Sequence, residues 1–168
     1  MNGIRQKSYK DFYITLTEWF RQSDRRIRML AIADRSITAF LFGLYPVFLI
    51  WLLLRPDRNG LFWCTLLPAV SFLAVSVLRA VISFPRPYEK YDIHPLVPKE
   101  TKGKSFPSRH VFCAFLIGMT CLKYSVPLAV LVFVLGTLLA GLRVIEGVHF
   151  PWDVAAGAIL GILCGLWY

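Results

Sequence analysis

The chain has 168 residues, 57% of them hydrophobic and 17% charged, with a net charge of +9. The length fits one domain, and the composition is too apolar for an ordinary soluble one. So basic a soluble protein would suggest nucleic acid, but no recognition motif accompanies the charge. Basic residues that flank membrane spans and meet lipid phosphates account for it instead.

Residues 1–35 form an expected unit of their own, an N-terminal interfacial segment. Tyr9, Phe12, Tyr13, Leu16, Trp19 and Phe20 recur at helical spacing, with Lys10, Asp11, Glu18 and Arg21 among them. The pattern predicts an amphipathic helix, lying in the membrane interface or packed against a bundle. Met1 to Lys10 is polar and no small-residue cleavage site follows, so no cleavable leader is expected.

Residues 36–168 predict a membrane domain. Ser36 to Leu54, Asn59 to Leu78 and Tyr124 to Leu142 are uncharged and near the ~20 residues a spanning helix needs. Val111 to Leu122 reaches that length only if it starts near Ser108, and Val154 to Tyr168 only if it starts near Pro151. The expected fold is all-α: a polytopic bundle of about five transmembrane helices plus the N-terminal interfacial helix. Cys64, Cys113, Cys121 and Cys164 lie in apolar runs without metal-ligand spacing. They read as buried free thiols, with no disulfide framework and no zinc site.

The one long polar connection runs from Arg79 to Pro107 and holds five prolines, which exclude a continuous helix. Counting spans puts this loop and the Arg143 to Pro151 loop on the same membrane face. Three blocks therefore converge there. Arg79 precedes Arg86-Pro87, Phe106-Pro107-Ser108-Arg109-His110 enters the fourth span, and Arg143 precedes His149 and Asp153.

These residue types suit phosphate. Guanidinium groups bind its oxygens in bidentate, charge-assisted pairs. Ser108 is placed to cap a helix whose free first-turn amides would face an anion, and the cap and phosphate roles compete for its hydroxyl. His149 and Asp153 become neighbours if the last helix begins near Pro151, a favoured first position. A carboxylate holding one imidazole nitrogen leaves the other free as nucleophile or base. An arginine at a span end is ordinarily an anchor, and a His-x-x-x-Asp pair is often structural. Gathered with His110 on one face, they become specific. His94 reads as a solvated loop residue. Lys90, Lys99, Lys102 and Lys104 read as solvated loop charges that could also draw in anionic headgroups. No carboxylate cluster could hold two metals, so neither a metal nor another cofactor is expected.

The three blocks resemble the type 2 phosphatidic acid phosphatase family, whose signature is Lys-x6-Arg-Pro, Pro-Ser-Gly-His and Ser-Arg-x5-His-x3-Asp. The resemblance covers roughly Ser36 to Tyr168 in the family's order and spacing. It implies a metal-independent membrane phosphatase acting on a lipid phosphomonoester or pyrophosphate. His149 would attack phosphorus and form a phosphohistidine, Asp153 would orient it, and His110 would protonate the leaving oxygen. Arg79, Arg86, Ser108, the Arg109 backbone amide and Arg143 would bind the phosphate. The implied partners are a lipid phosphate and the bilayer of a cell membrane that the chain crosses several times. Oligomeric state has no signature. Arg79 stands where the family has lysine, Arg109 where it has glycine, and Leu142 where it has serine. Family members commonly have six spans and a site facing outward or into a lumen. The basic N-terminal segment lies on the site's side by parity and points instead to the cytoplasm, so sidedness is left open.

Overall fold

The computed structural model describes residues 2–167; the expected end of the last span at Tyr168 lies outside them. Among the described residues six long helices and one single turn follow in order. They are α1 (Asn2–Arg21), α2 (Asp24–Leu53), α3 (Arg58–Ile82), the single turn α4 (Pro87–Lys90), α5 (Arg109–Leu122), α6 (Val126–Ile145) and α7 (Pro151–Gly165). The fold is all-α, as the composition predicts.

Three helices, α2, α3 and α6, are long and apolar enough to cross a membrane. They turn large apolar side chains outward: Val47 and Leu53 on α2, Val70 and Leu73 on α3, Val130 and Leu138 on α6. Water would penalise such a surface, and hydrocarbon would not. Both α2 and α3 carry an internal proline, Pro46 and Pro68. Pro68 has no N–H to give the carbonyl of Cys64, four residues back. The Tyr45 hydroxyl donates to that carbonyl instead, stitching α2 to α3.

Helices α5 and α7 have 14 and 15 residues. At ~1.5 Å per residue they are about 21 and 23 Å long, short of a ~30 Å hydrocarbon core. The five expected spans thus divide into three long helices and two short ones. Helix α5 forms the centre, with Val111, Phe112, Ala114, Leu116 and Cys121 buried, and α7 packs against it with Ile159 and Leu163 turned outward. Close approach is what joins them. A Cβ on Gly157 would lie 2.6 Å from the Ser108 carbonyl oxygen, and one on Gly161 2.6 Å from that of Phe112. Glycine every fourth residue clears one face of α7 for the α5 backbone.

One boundary differs from the sequence reading. Helix α2 begins at Asp24, so the line between Arg35 and Ser36 falls inside one continuous helix. The charged turns stay helical because inward-facing Asp34 is neutralised by Arg143, while Arg25, Arg28 and Arg35 remain exposed. Helix α1 packs on the loop end of the bundle, with Tyr13 and Thr17 buried and Phe12 and Trp19 exposed. The Tyr13 hydroxyl donates to the Ile145 carbonyl (3.2 Å) and accepts from the Leu96 amide (3.3 Å). Lys10 pairs with Asp92 at 2.8 Å, and Arg21 donates to the His94 carbonyl at 2.6 Å.

Candidate active site

The two loops expected on one face do meet. The Leu96 amide donates to the Glu146 carbonyl (3.1 Å), and Arg86 donates to the Val148 carbonyl (3.1 Å). Gly147, at φ +82°, makes the left-handed turn that brings the chain from α6 back toward α7. A side chain there would strike the Tyr13 hydroxyl, 2.5 Å from the added carbon.

Pro151 opens α7, and Asp153 sits in its first turn, fully buried. One carboxylate oxygen, Oδ2, accepts from the Phe150 amide (3.0 Å) and from the Ser105 hydroxyl (2.5 Å). The same oxygen lies 3.5 Å from His149 Nδ1, long for a hydrogen bond but close for a charge pair. Ser105 Oγ is 3.4 Å from that nitrogen. Both contacts fall on Nδ1, so Nε2 is the nitrogen left for chemistry. His149 is 3% exposed. Burial pulls its imidazole down to about 4, against Asp153, which raises it, so the ring is neutral at pH 7.

The arginines are held by backbone. Arg79 donates to the carbonyls of Pro107, Lys104 and Ser105. Arg86 donates to those of Gly103 and Val148. Arg143 is different: its Nε lies 3.0 Å from Asp34, its NH1 3.9 Å from Glu146, and its NH2 donates to Thr38 at 3.4 Å. Arg86 and Arg79 both act electrostatically on His149, while Arg143, His149, Lys99 and Arg109 act on His110. The eight sequence-predicted residues therefore form one cluster.

Ser108 occupies the N-cap position of α5, yet its hydroxyl makes no cap bond. The oxygen is buried and has no hydrogen-bond partner among the described residues. Its amide donates to the Asp153 carbonyl at 2.9 Å, which locks the start of α5 to α7. An orphaned buried hydroxyl costs about 1–3 kcal/mol unless a ligand satisfies it. His110 and Arg143 line a cavity of about 390 Å³ with Asp34, Thr38, Lys99 and Glu146.

Four of the residues around the cluster were missed from sequence. Ser105, Asp34 and Glu146 are buried, and Thr38 is half-buried. Asp34 and Glu146 had a usable signal: an acid inside or at the end of an apolar helix needs a partner. Lys99, read as a solvated loop charge, is half-buried at the cavity. Burial, and Arg143 after it, lower its pKa. Burial and Asp34 push the Glu146 carboxyl up to about 7.

The three blocks thus meet at one end of the bundle, where the two loops join. The chain belongs to the PAP2 superfamily, whose model matches residues 59–168. It is 31% identical over 121 residues to the bacitracin transport permease protein BcrC of Bacillus licheniformis, covering 70% of this chain and 59% of that protein. The chain thus spans about three-fifths of that relative's length. It is 25% identical over 138 residues to the undecaprenyl-diphosphatase BcrC of Bacillus subtilis (strain 168), covering 82% and 69% respectively. Among solved structures, LpxE of Aquifex aeolicus superposes with a TM-score of 0.70 at 24% identity, over 94% of this chain and 92% of that one. A transmembrane PAP2-type phosphatidylglycerolphosphate phosphatase from Bacillus subtilis gives 0.68 at 22%, over 98% and 86%. At those identities the structures speak to the fold. Helix α1 and helix α2, with Asp34 and Thr38, lie before the family-matched stretch.

Proposed function

We propose that this chain is an integral membrane phosphatase that hydrolyses a lipid phosphomonoester or pyrophosphate through a phosphohistidine. The substrate is of the phosphatidic acid, phosphatidylglycerol phosphate or polyprenyl pyrophosphate type. The observation that carries this reading is the buried His149, neutral and held at Nδ1 beside Asp153 and Ser105.

His149 Nε2 attacks phosphorus, and the bond from phosphorus to the leaving oxygen breaks. His110 gives that oxygen a proton, then takes one from the water that attacks the phosphohistidine and releases phosphate. Asp153 stabilises the charge that grows on the imidazole. Arg79, Arg86 and Arg143 hold the equatorial oxygens, with the Ser108 hydroxyl and the Arg109 amide as further donors. Charge neutralisation falls to guanidinium groups, so the mechanism is metal-independent.

In this reading residues 36–168 carry the chemistry, and five helices cross a cell membrane. Helices α5 and α7 reach full depth with their flanking residues, and the 1–35 segment lies at the interface on the site's side. A protease-accessible tag on the N-terminus then reports which way the site faces.

The test is phosphate release from a panel of lipid phosphates and pyrophosphates by detergent-solubilised protein, wild type and His149→Ala, with and without EDTA. Release that EDTA leaves intact and His149→Ala abolishes is expected. Loss with EDTA would sink the metal-free mechanism. The permease name of the Bacillus licheniformis relative favours one other reading, a non-catalytic lipid-phosphate binder or transporter. Release unchanged in His149→Ala would select it.

A further inference from the structure

Two cavities meet in the gap between α2 and α3. One, of about 310 Å³, is almost wholly apolar and is lined by Phe42, Tyr45, Leu49, Pro68 and Phe72. The other, of about 300 Å³, is lined by Thr38, Phe42, Phe72, Arg109 and His110. They share Phe42 and Phe72, and the second shares Thr38 and His110 with the cavity that holds Arg143 and Lys99. A path therefore runs from apolar surface at bilayer depth, past Arg109, to His110.

Arg109 is the point of interest on that path. It stands where the family signature has glycine. Its guanidinium carbon lies 5.4 Å from the Phe72 ring centroid, and it has no ion-pair partner among the described residues. It is exposed at the first turn of α5, so its guanidinium is open to a charge-assisted pair with an anion that passes. The reacting phosphate has other ligands. What passes Arg109 is the lipid side of the molecule, beyond the oxygen that His110 serves.

We propose that the Arg109 side chain is a specificity-determining group that binds a phosphate on the leaving lipid, so that lipid diphosphates are favoured over monoesters of neutral lipids. This rests on the assignment of His149 and His110 above. In the step, Nε2 bonds to the terminal phosphorus and the bridging phosphorus–oxygen bond breaks. The electron pair stays on the bridging oxygen, now part of a lipid monophosphate whose growing charge faces the guanidinium. Phosphatidic acid leaves a neutral diacylglycerol, which offers Arg109 nothing to bind.

The experiment compares a polyprenyl diphosphate with phosphatidic acid on the same samples of wild type, Arg109→Gln, Arg109→Lys and His149→Ala. In Arg109→Gln the ratio of kcat/KM for diphosphate over phosphatidic acid is expected to fall about 10- to 100-fold, the range for one charge-assisted hydrogen bond. Arg109→Lys should recover most of the ratio. Both substrates are read on one preparation, so any loss of folded protein cancels. A ratio within twofold of wild type in Arg109→Gln overturns the proposal while leaving the phosphatase assignment intact. Release that persists in His149→Ala overturns the assignment itself.

Discussion

Asp153→Asn separates charge from geometry at the centre of the site. The Oδ2 position accepts from the Phe150 amide and the Ser105 hydroxyl and faces His149 Nδ1. An asparagine can place its oxygen there and keep every one of those contacts. Its NH2 then takes the place of Oδ1, which is buried without a partner among the described residues. The fold and the ring tautomer are preserved, and only the negative charge is lost. That charge lies 3.5 Å from the nitrogen on which imidazolium character develops, at a site with no exposure. At an effective dielectric of about 20 it stabilises the cation by about 5 kcal/mol. At ~1.4 kcal/mol per decade, kcat should fall by about three orders of magnitude with KM little changed. Steady-state phosphate release in detergent, with a thermal melt of the same sample, measures both quantities. A kcat within tenfold of wild type at an unaltered melting temperature would refute the role given to Asp153.

Three other outcomes are expected. Among the described residues, Asp34→Ala leaves Arg143 with Glu146, 3.9 Å away, as its one paired acid and without its 3.0 Å partner. Stability should drop by about 3–5 kcal/mol, and kcat/KM should fall because Arg143 loses its orientation; an unchanged melt would show that the pair is idle. Gly157→Ala drives a methyl to 2.6 Å from the Ser108 carbonyl. The overlap should cost about 1–3 kcal/mol in a chemical melt, whereas a stabilised variant would mean that α5 and α7 are less tightly packed than described. The third concerns pH. His149 is pulled down to about 4 when folded and titrates near 6.5 when unfolded, so below pH 6.5 the unfolded chain takes up a proton that the folded one refuses. Stability is therefore full above pH 6.5 and declines toward pH 4 by about 3 kcal/mol from this group. His149→Gln lacks that decline, so melts of the two proteins at pH 7 and pH 4 should converge or cross, and parallel curves would argue against a buried neutral imidazole.

The three signature blocks were legible because each is contiguous and its chemistry is unusual for a membrane segment. Pro151 marked the start of α7 for a local reason, the fixed φ of proline at a first helical turn. What the sequence reading missed is non-local. Asp34 reaches Arg143 across 109 positions of chain, and nothing near Asp34 announces an arginine. Ser105 looks like any loop serine until the fold sets it against His149 and Asp153. The glycines at 157 and 161 were visible at helical spacing, and the spacing alone could have placed α7 against a neighbour. The role expected of Ser108 as a cap was half right. It holds the cap position, but its hydroxyl does not cap.

The departure at position 79 has a structural reason that bears on how the site holds together. Arg79 reaches the carbonyls of Lys104, Ser105 and Pro107 with two different nitrogens. A lysine ammonium has its donors on a single nitrogen and could not span them as a fork. The side chain thus binds the end of the long loop to α3 just ahead of Ser108. No feature of the structure explains Leu142. Around the cluster the buried carboxylates of Asp34, Glu146 and Asp153 stand against the buried guanidinium groups of Arg79, Arg86 and Arg143. Carbonyl dipoles hold Arg79 and Arg86, and carboxylates hold Arg143. Repulsion among the cations is offset before any substrate arrives. The donors can then wait in a fixed arrangement and need little reorganisation as charge develops on phosphorus. Arg109, without an ion-pair partner among the described residues, lies outside this neutralised set and lines the cavity beside His110, which is why the selectivity proposed for it can be altered without disturbing the other groups.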